Sequence, residues 1–290
     1  MKQNSWSRRE FLRRSLFTAA LPTIIPAAAL GRDGHTPPSE RITIGQIGVG
    51  DRGSYLLGEL LQCPHTQVVA LCDVKKDRLE TAAQTVNHFY DNTACKIFSE
   101  HESITDSNDI DAVIVASCDH WHVFHARAAA LHGKGVYLEK PMGLSPAQDQ
   151  ALRKAVLENH AAFQFGTQQR SDTRFREACE RVRNGILGPL REIYIWAPPS
   201  SSGGPTNKAP IPETLDYERW LGPAPEVPYT FERDSNKWWW HITDYAVGFI
   251  AGWGIHPVDI ALWGAAEAMQ TPCHIEGKGT YPTEGLCNCA

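Results

Sequence analysis

Gly48-Val49-Gly50-Asp51-Arg52-Gly53 sets three glycines at the spacing that lets a chain turn tightly out of a strand, pass close to a pyrophosphate and pack the next helix against the sheet. Residues 41–49 before it are rich in β-branched side chains, and residues 52–62 after it have helical apolar spacing. The loop therefore opens onto a helix N-terminus, whose N–H groups and dipole favour phosphate. Asp73 closes the second strand-like run, twenty residues beyond Gly53. A carboxylate there accepts hydrogen bonds from adenosine ribose hydroxyls and repels a 2′-phosphate, which favours NAD over NADP. Lys75 and Lys76 stand close by and work against a strict preference.

Glu139-Lys140-Pro141 ends a later strand on the same carboxyl edge, outside which ligands bind in doubly wound sheets. A lysine there, buried and near other cations, has a lowered pKa and serves as an acid or base. A surface lysine before a turn-forming proline fits the spacing equally well. Asp119-His120-Trp121-His122, with His125 beyond, has the residue types of a metal cluster. The spacing argues against one, because His122 and His125 lie one helical turn apart with no accompanying acidic or cysteine set. A strand-end loop touching a nicotinamide suits these residues better. His256 lies in a Gly/Trp-rich segment just before a helix, where its ring either packs or points into a cleft.

The elements that must position these residues alternate. Strand-like runs at 41–49, 67–74, 95–99, 111–117 and 135–141 are separated by helical patterns, and nearly all are apolar. Such βαβ repetition predicts a parallel sheet covered on both faces. A helix over residues 146–159 and a short strand over 162–166 close this half. Beyond Gly166 the spacing predicts a helix over 173–185, a long alternating strand over 188–198, a helical island over 213–222, a helix ending near 264 and a last strand around 274–281. Residues 198–228 are rich in Pro, Gly and Ser, and stretches of that length are usually functional.

The 290 residues carry a formal charge of −5, yet the first 29 hold five basic groups and a single acid, so the rest is near −9. That balance argues against nucleic acid and anionic membranes as partners. Residues 7–29 order a charged region, an apolar run and an Ala27-Ala28-Ala29 cleavage site as an export signal does. The apolar run is short and broken by Pro22 and Pro26, which disfavours a membrane anchor. Ser7-Arg8-Arg9-Glu10-Phe11-Leu12 resembles the twin-arginine signal, read by the export machinery rather than acting as an anchor. That pathway carries folded protein, so a nucleotide bound in the cytoplasm would leave inside the fold, and the expected location is periplasmic or otherwise exported. The eight cysteines form no disulfide framework, and reduced or incidental thiols are expected.

Taken together, GVGDRG at 48–53, Asp73, SCDHWH at 117–122, EKP at 139–141, QFGTQQRS at 164–171, LDYERWLGPAP at 215–225 and GWGIHPVDIA at 252–261 resemble the Gfo/Idh/MocA family. This is the family of glucose–fructose oxidoreductase, inositol dehydrogenase and rhizopine-catabolism proteins. After the signal at 1–29 and a linker at 30–40, the resemblance implies an NAD(P)-binding Rossmann domain at 41–166 and an α+β substrate and oligomerisation domain at 167–290. The last would have an open, mostly antiparallel sheet, incomplete here. It also implies oxidation or reduction of a sugar, polyol or glycoside hydroxyl with tightly held NAD, and a homo-oligomer when full length. Lys140 and His256 would be catalytic, and the cofactor would contact Gly48, Val49, Gly50, Asp51, Arg52, Gly53, Asp73, Asp119, His122, Glu139 and Lys140. Many members carry Asp four residues before the histidine, where this chain has Gly252. Either Lys140 and His256 suffice, or another acid such as Asp259 or Asp244 substitutes, or the chemistry has shifted toward an NAD-dependent glycosidase acting by transient oxidation and elimination, or turnover has been lost and binding kept.

Overall fold

Six strands form one all-parallel sheet in the computed structural model of this protein, which describes residues 36–266 and 278–289. They are β1 (Ile42–Ile47), β2 (Thr66–Cys72), β3 (Lys96–Phe98), β4 (Ala112–Val115), β5 (Gly135–Glu139) and β6 (Phe163–Gly166). The spatial order is β3-β2-β1-β4-β5-β6, so the chain reverses its direction of travel between β1 and β4. A crevice opens at that switch, outside the carboxyl ends of the strands.

Apolar side chains leave both faces of the sheet, as the near-continuous hydrophobic strands require. On one face Ile44, Val68 and Leu71 pack against Leu57 and Leu61 of α1 (Asp51–Leu61) and Leu79 and Val86 of α2 (Lys76–Tyr90). The short α3 (Glu102–Thr105) follows β3. On the other face Val113, Val115, Val136 and Leu138 meet Ala126, Ala129 and Ala130 of α4 (Asp119–Leu131) and Leu152 and Ala155 of α5 (Pro146–Glu158). The alanines let α4 lie close to the sheet. Helix α5 starts where Ser145 accepts a hydrogen bond from the Gln148 N–H and Pro146 takes the first turn.

Past β6 the described residues contain helices α6 (Thr173–Arg183), α7 (Tyr217–Leu221), α8 (Gly248–Gly252) and α9 (Ile255–Gly264). Tyr217, Trp220, Tyr229, Trp239 and Tyr245 build an aromatic core there, against which Val74 and Cys118 from the sheet's carboxyl edge pack. The strand expected over 188–198 is not formed. That stretch is irregular, with Tyr194 and Trp196 each 79% exposed. Alternation makes a strand only where a neighbour satisfies its backbone groups, and no described segment pairs with this one. Of the strand expected around 274–281, residues 274–277 lie outside the described residues and 278–281 are irregular. The antiparallel sheet therefore does not appear among the described residues. The leader at 1–29 also lies outside them. The described cysteines are all free thiols, and no described helix is long and apolar enough to cross a membrane.

Two glycines of α1 give opposite expectations. A Cβ on Gly53 would lie 2.2 Å from the Gly48 carbonyl oxygen, whereas nothing lies within 4 Å of one on the exposed Gly58. Gly53→Ala should lower the stability measured by urea unfolding by about 1–3 kcal/mol or more. Gly58→Ala should raise it by about 0.5–1 kcal/mol by removing backbone freedom from the unfolded helix.

Candidate active site

The turn from β1 into α1 is held from below and from the side. Gly48 has φ +90°, and a Cβ on it would sit 2.4 Å from the Ala116 carbonyl oxygen. The fully buried Gln46 donates from Nε2 to the carbonyls of Gly48 (3.0 Å) and Gly53 (2.8 Å), clamping both ends of the turn. Asp73 accepts the Val49 N–H on Oδ2 (2.8 Å) and the Lys75 N–H on Oδ1 (2.9 Å). Each oxygen keeps a lone pair for a further donor such as a ribose hydroxyl. Burial raises the Asp73 pKa, opposed by the two N–H bonds and the Arg78 charge. The N–H groups of the first turn of α1 have no intrahelical acceptor, and Gly50, Asp51 and Arg52 border the crevice.

Not every residue expected in the cradle is simply turned toward a ligand. Asp51 accepts a 2.5 Å hydrogen bond from Asn236 Nδ2. Arg52 reaches across the sheet edge to Glu139 at 2.7 Å, with side-chain exposures of 32% and 3%. Glu139 also accepts the Lys140 N–H (3.1 Å) and the Tyr137 hydroxyl (3.3 Å).

A cavity of about 770 Å³ runs along the carboxyl ends of β2, β1, β4 and β5, bordered by Asp73 and Gly48 toward one side and by Lys140 and His256 toward the other. The volume suits a sizeable small molecule. The side-chain-free cradle at Gly48 and Gly53, the helix N-terminus and the acid at the β2 end fit an adenine dinucleotide. Gly48 through Gly53 and Asp73 would hold its phosphates and ribose.

Lys140 donates from Nζ to the Gly252 carbonyl oxygen (2.7 Å) and lies 4.9 Å from the centre of the Trp240 ring. Burial lowers its pKa, with Asp119 and Glu139 pulling the other way. Asp119, at the start of α4, is buried beside it, and burial pushes its pKa up to about 8 against the Lys140 charge. The His256 pKa is lowered by burial and by Lys140, and its Nδ1 has no hydrogen-bond partner among the described residues. His122 is buried with Nδ1 2.6 Å from the Pro141 oxygen and Nε2 3.0 Å from the Ser117 oxygen, so it ties the β4 and β5 ends together. His120 lies 2.8 Å from the Trp220 oxygen, and His125 stacks on Trp121. These histidines meet carbonyls and rings, and no described group of His, Cys, Asp and Glu converges to hold a metal ion.

The structure therefore brings Lys140, His256, Asp119 and Glu139 to one cavity with the glycine turn. It does not bring Asp259 or Asp244 there. Asp259 is held by Arg170 through two 2.7 Å bonds, and Asp244 does not line the cavity. What Lys140 meets at position 252 is a backbone carbonyl. Sequence reasoning missed Gln46, whose polar side chain in an apolar strand was the available signal. It also missed Asp234 and Asn236, which no spacing rule marks.

Residues 42–167 match the Gfo/Idh/MocA oxidoreductase family model for the NAD-binding Rossmann fold, and residues 195–280 match that family's C-terminal α/β domain. The chain belongs to this family, and residues 42–167 are an NAD-binding Rossmann domain. It is similar to myo-inositol 2-dehydrogenase of Thermotoga maritima, 29% identical over 180 residues, covering 62% of this chain and 49% of that protein. It is also similar to a glycosyl hydrolase family 109 protein of Saccharopolyspora erythraea, 31% identical over 159 residues, covering 49% and 35%. The crystal structure of scyllo-inositol dehydrogenase from Lactobacillus casei with bound NAD(H) and scyllo-inositol matches in fold, with TM-score 0.52, 20% identity and coverage of 77% and 56%. The chain spans about half the length, or less, of the curated relatives it matches.

The Arg52–Glu139 pair gives a direct test of the site's electrostatics. Arg52→Met leaves a buried carboxylate without its cation and should cost about 3 kcal/mol in urea unfolding at neutral pH.

Proposed function

We propose that this protein is an NAD-dependent oxidoreductase acting on a hydroxyl of a sugar, polyol or glycoside, with Lys140 taking the hydroxyl proton and His256 contacting the same oxygen. The observation that carries this reading is the Lys140 ammonium, held by the Gly252 carbonyl in the same cavity as His256 and the glycine turn. A carbonyl orients an ammonium without adding the full negative charge that would raise its pKa. A lysine so placed gives up its proton more readily than one facing a carboxylate. When bound, the nicotinamide supplies the hydride acceptor. The nearby acids Asp119 and Glu139 hold the proton on Lys140 and burial, the larger effect, works against them, while His122 bridges the two strand ends. Similarity to a myo-inositol 2-dehydrogenase supports a polyol or sugar substrate.

A second reading has its own support. Position 252 offers Lys140 a neutral acceptor, and several relatives are named glycosyl hydrolase family 109 proteins. In that chemistry oxidation is transient and the aglycone leaves by elimination, without the usual pair of carboxylates. The proposal includes twin-arginine export with the cofactor bound beforehand, periplasmic location, and a homo-oligomeric state.

Three measurements test this. Denaturing the purified full chain should release NAD, identified by mass spectrometry. Nitrophenyl glycosides with no added NAD separate the two readings: nitrophenol without net NADH supports the glycosidase, and NADH formation from free sugars or polyols supports the dehydrogenase. Under either, activity should rise with pH through a limb below the ordinary lysine value of about 10.4, because only neutral Lys140 accepts a proton. Lys140→Ala should lower kcat by about 10²–10⁴ and remove that limb, and unchanged turnover on every substrate would refute both readings.

A further inference from the structure

Asp234, Asn236 and Trp239, from the far half of the chain, line the same cavity as the glycine turn and the β2 end. Asn236 bonds Asp51 at the start of α1, and its own Oδ1 accepts from Trp239 Nε1 (2.9 Å). Asp234 is buried and forms an ion pair with Lys75, whose Nζ also reaches the Asp234 carbonyl oxygen (3.3 Å). Asp234 in turn accepts the Tyr229 hydroxyl (2.7 Å). All of these except Tyr229 line the cavity.

Lys75 stands two residues after Asp73, where a ribose 2′-phosphate of NADP would look for a cation. Its positive charge is already engaged. Arg219, another cation bordering the cavity, is likewise paired, with Glu100 at 2.5 Å and Asp216 at 3.7 Å. Lys76 is exposed and faces Glu80. Arg78 forms no ion pair among the described residues, but a Cβ on Gly50 would lie 3.2 Å from its guanidinium. It therefore sits beside the glycine turn, where a pyrophosphate is the natural anion.

We propose that Asp234 is a specificity-determining residue of the dinucleotide site: it holds Lys75 and cancels its charge, so that NAD is accepted and NADP refused. This rests on the NAD-site reading and adds a residue from the second half to it. The two acids act together. Asp73 offers acceptors to two hydroxyls, and Asp234 neutralises Lys75, a cation that would otherwise welcome a phosphate dianion.

The test is fluorescence titration of the full chain, freed of nucleotide, with NADH and NADPH. Wild type should bind NADH more tightly by about tenfold or more, since a like charge facing the 2′-phosphate costs affinity. Asp234→Asn keeps the shape and an acceptor for Tyr229 but frees Lys75, so the NADPH dissociation constant should fall about tenfold with that for NADH nearly unchanged. Adding Lys75→Met should abolish the gain. Asp234→Ser serves if the Asn variant does not melt as one folded species. An unchanged NADPH-to-NADH ratio with NADH binding intact overturns the inference alone, as does a gain that survives loss of Lys75. A wild type that binds neither nucleotide overturns the NAD site and this inference together.

Discussion

The hydrogen bond from the Val49 N–H to the Asp73 carboxylate ties the first strand-to-helix turn to the end of the second strand. With Gln46 clamping the same turn from beneath, it fixes where the backbone of residues 48–53 runs. Because the sheet is parallel, β1, β2, β4 and β5 deliver their carboxyl ends to this one edge. Every group at the site is placed relative to that turn. An isolated glycine loop would be free to adopt many shapes, and it is the carboxylate and the buried amide that select one.

The cavity is not a property of the sheet alone. Trp121 donates to the carbonyls of Arg219 and Trp220, and the Lys76 N–H donates to the Thr214 carbonyl, so the helical island around α7 is bound to the sheet edge. Gly222 lies so near Trp121 that a Cβ on it would overlap the indole, at 1.9 Å. The Gly252 carbonyl approaches from α8 to meet Lys140. The Rossmann half thus supplies the cradle and the lysine, and the second half supplies a wall, a histidine and the acceptor that orients the lysine.

Burial sets the electrostatic character of this site. Asp73, Asp119 and Glu139 are acids near Lys75, Arg52 and Lys140, and most of these charges are matched within the cavity wall. Withdrawal from water lowers Lys140 and raises Asp119, which brings both closer to neutral pH than either would be in solvent.

The glycine spacing, the acid at Asp73 and the six-element alternation were legible in the sequence because they are local: a turn, a strand or a helix is encoded by neighbours along the chain. Lys140 and His256 were legible as residue types in the right segments. The long-range contacts around the cavity were not, since Gly252 lies 112 residues from Lys140, Asp234 159 from Lys75 and Asn236 185 from Asp51. The expectation for 188–198 went wrong for the same reason, since alternation marks which side chains share a face but not whether a neighbouring strand is present. By itself, then, the sequence determined a doubly wound parallel sheet with a dinucleotide turn. Only the tertiary structure decided which carbonyl holds the lysine, which acid occupies Lys75 and which expected acids stand elsewhere, because contacts between distant segments depend on how the faces pack and carry no periodic signal along the chain.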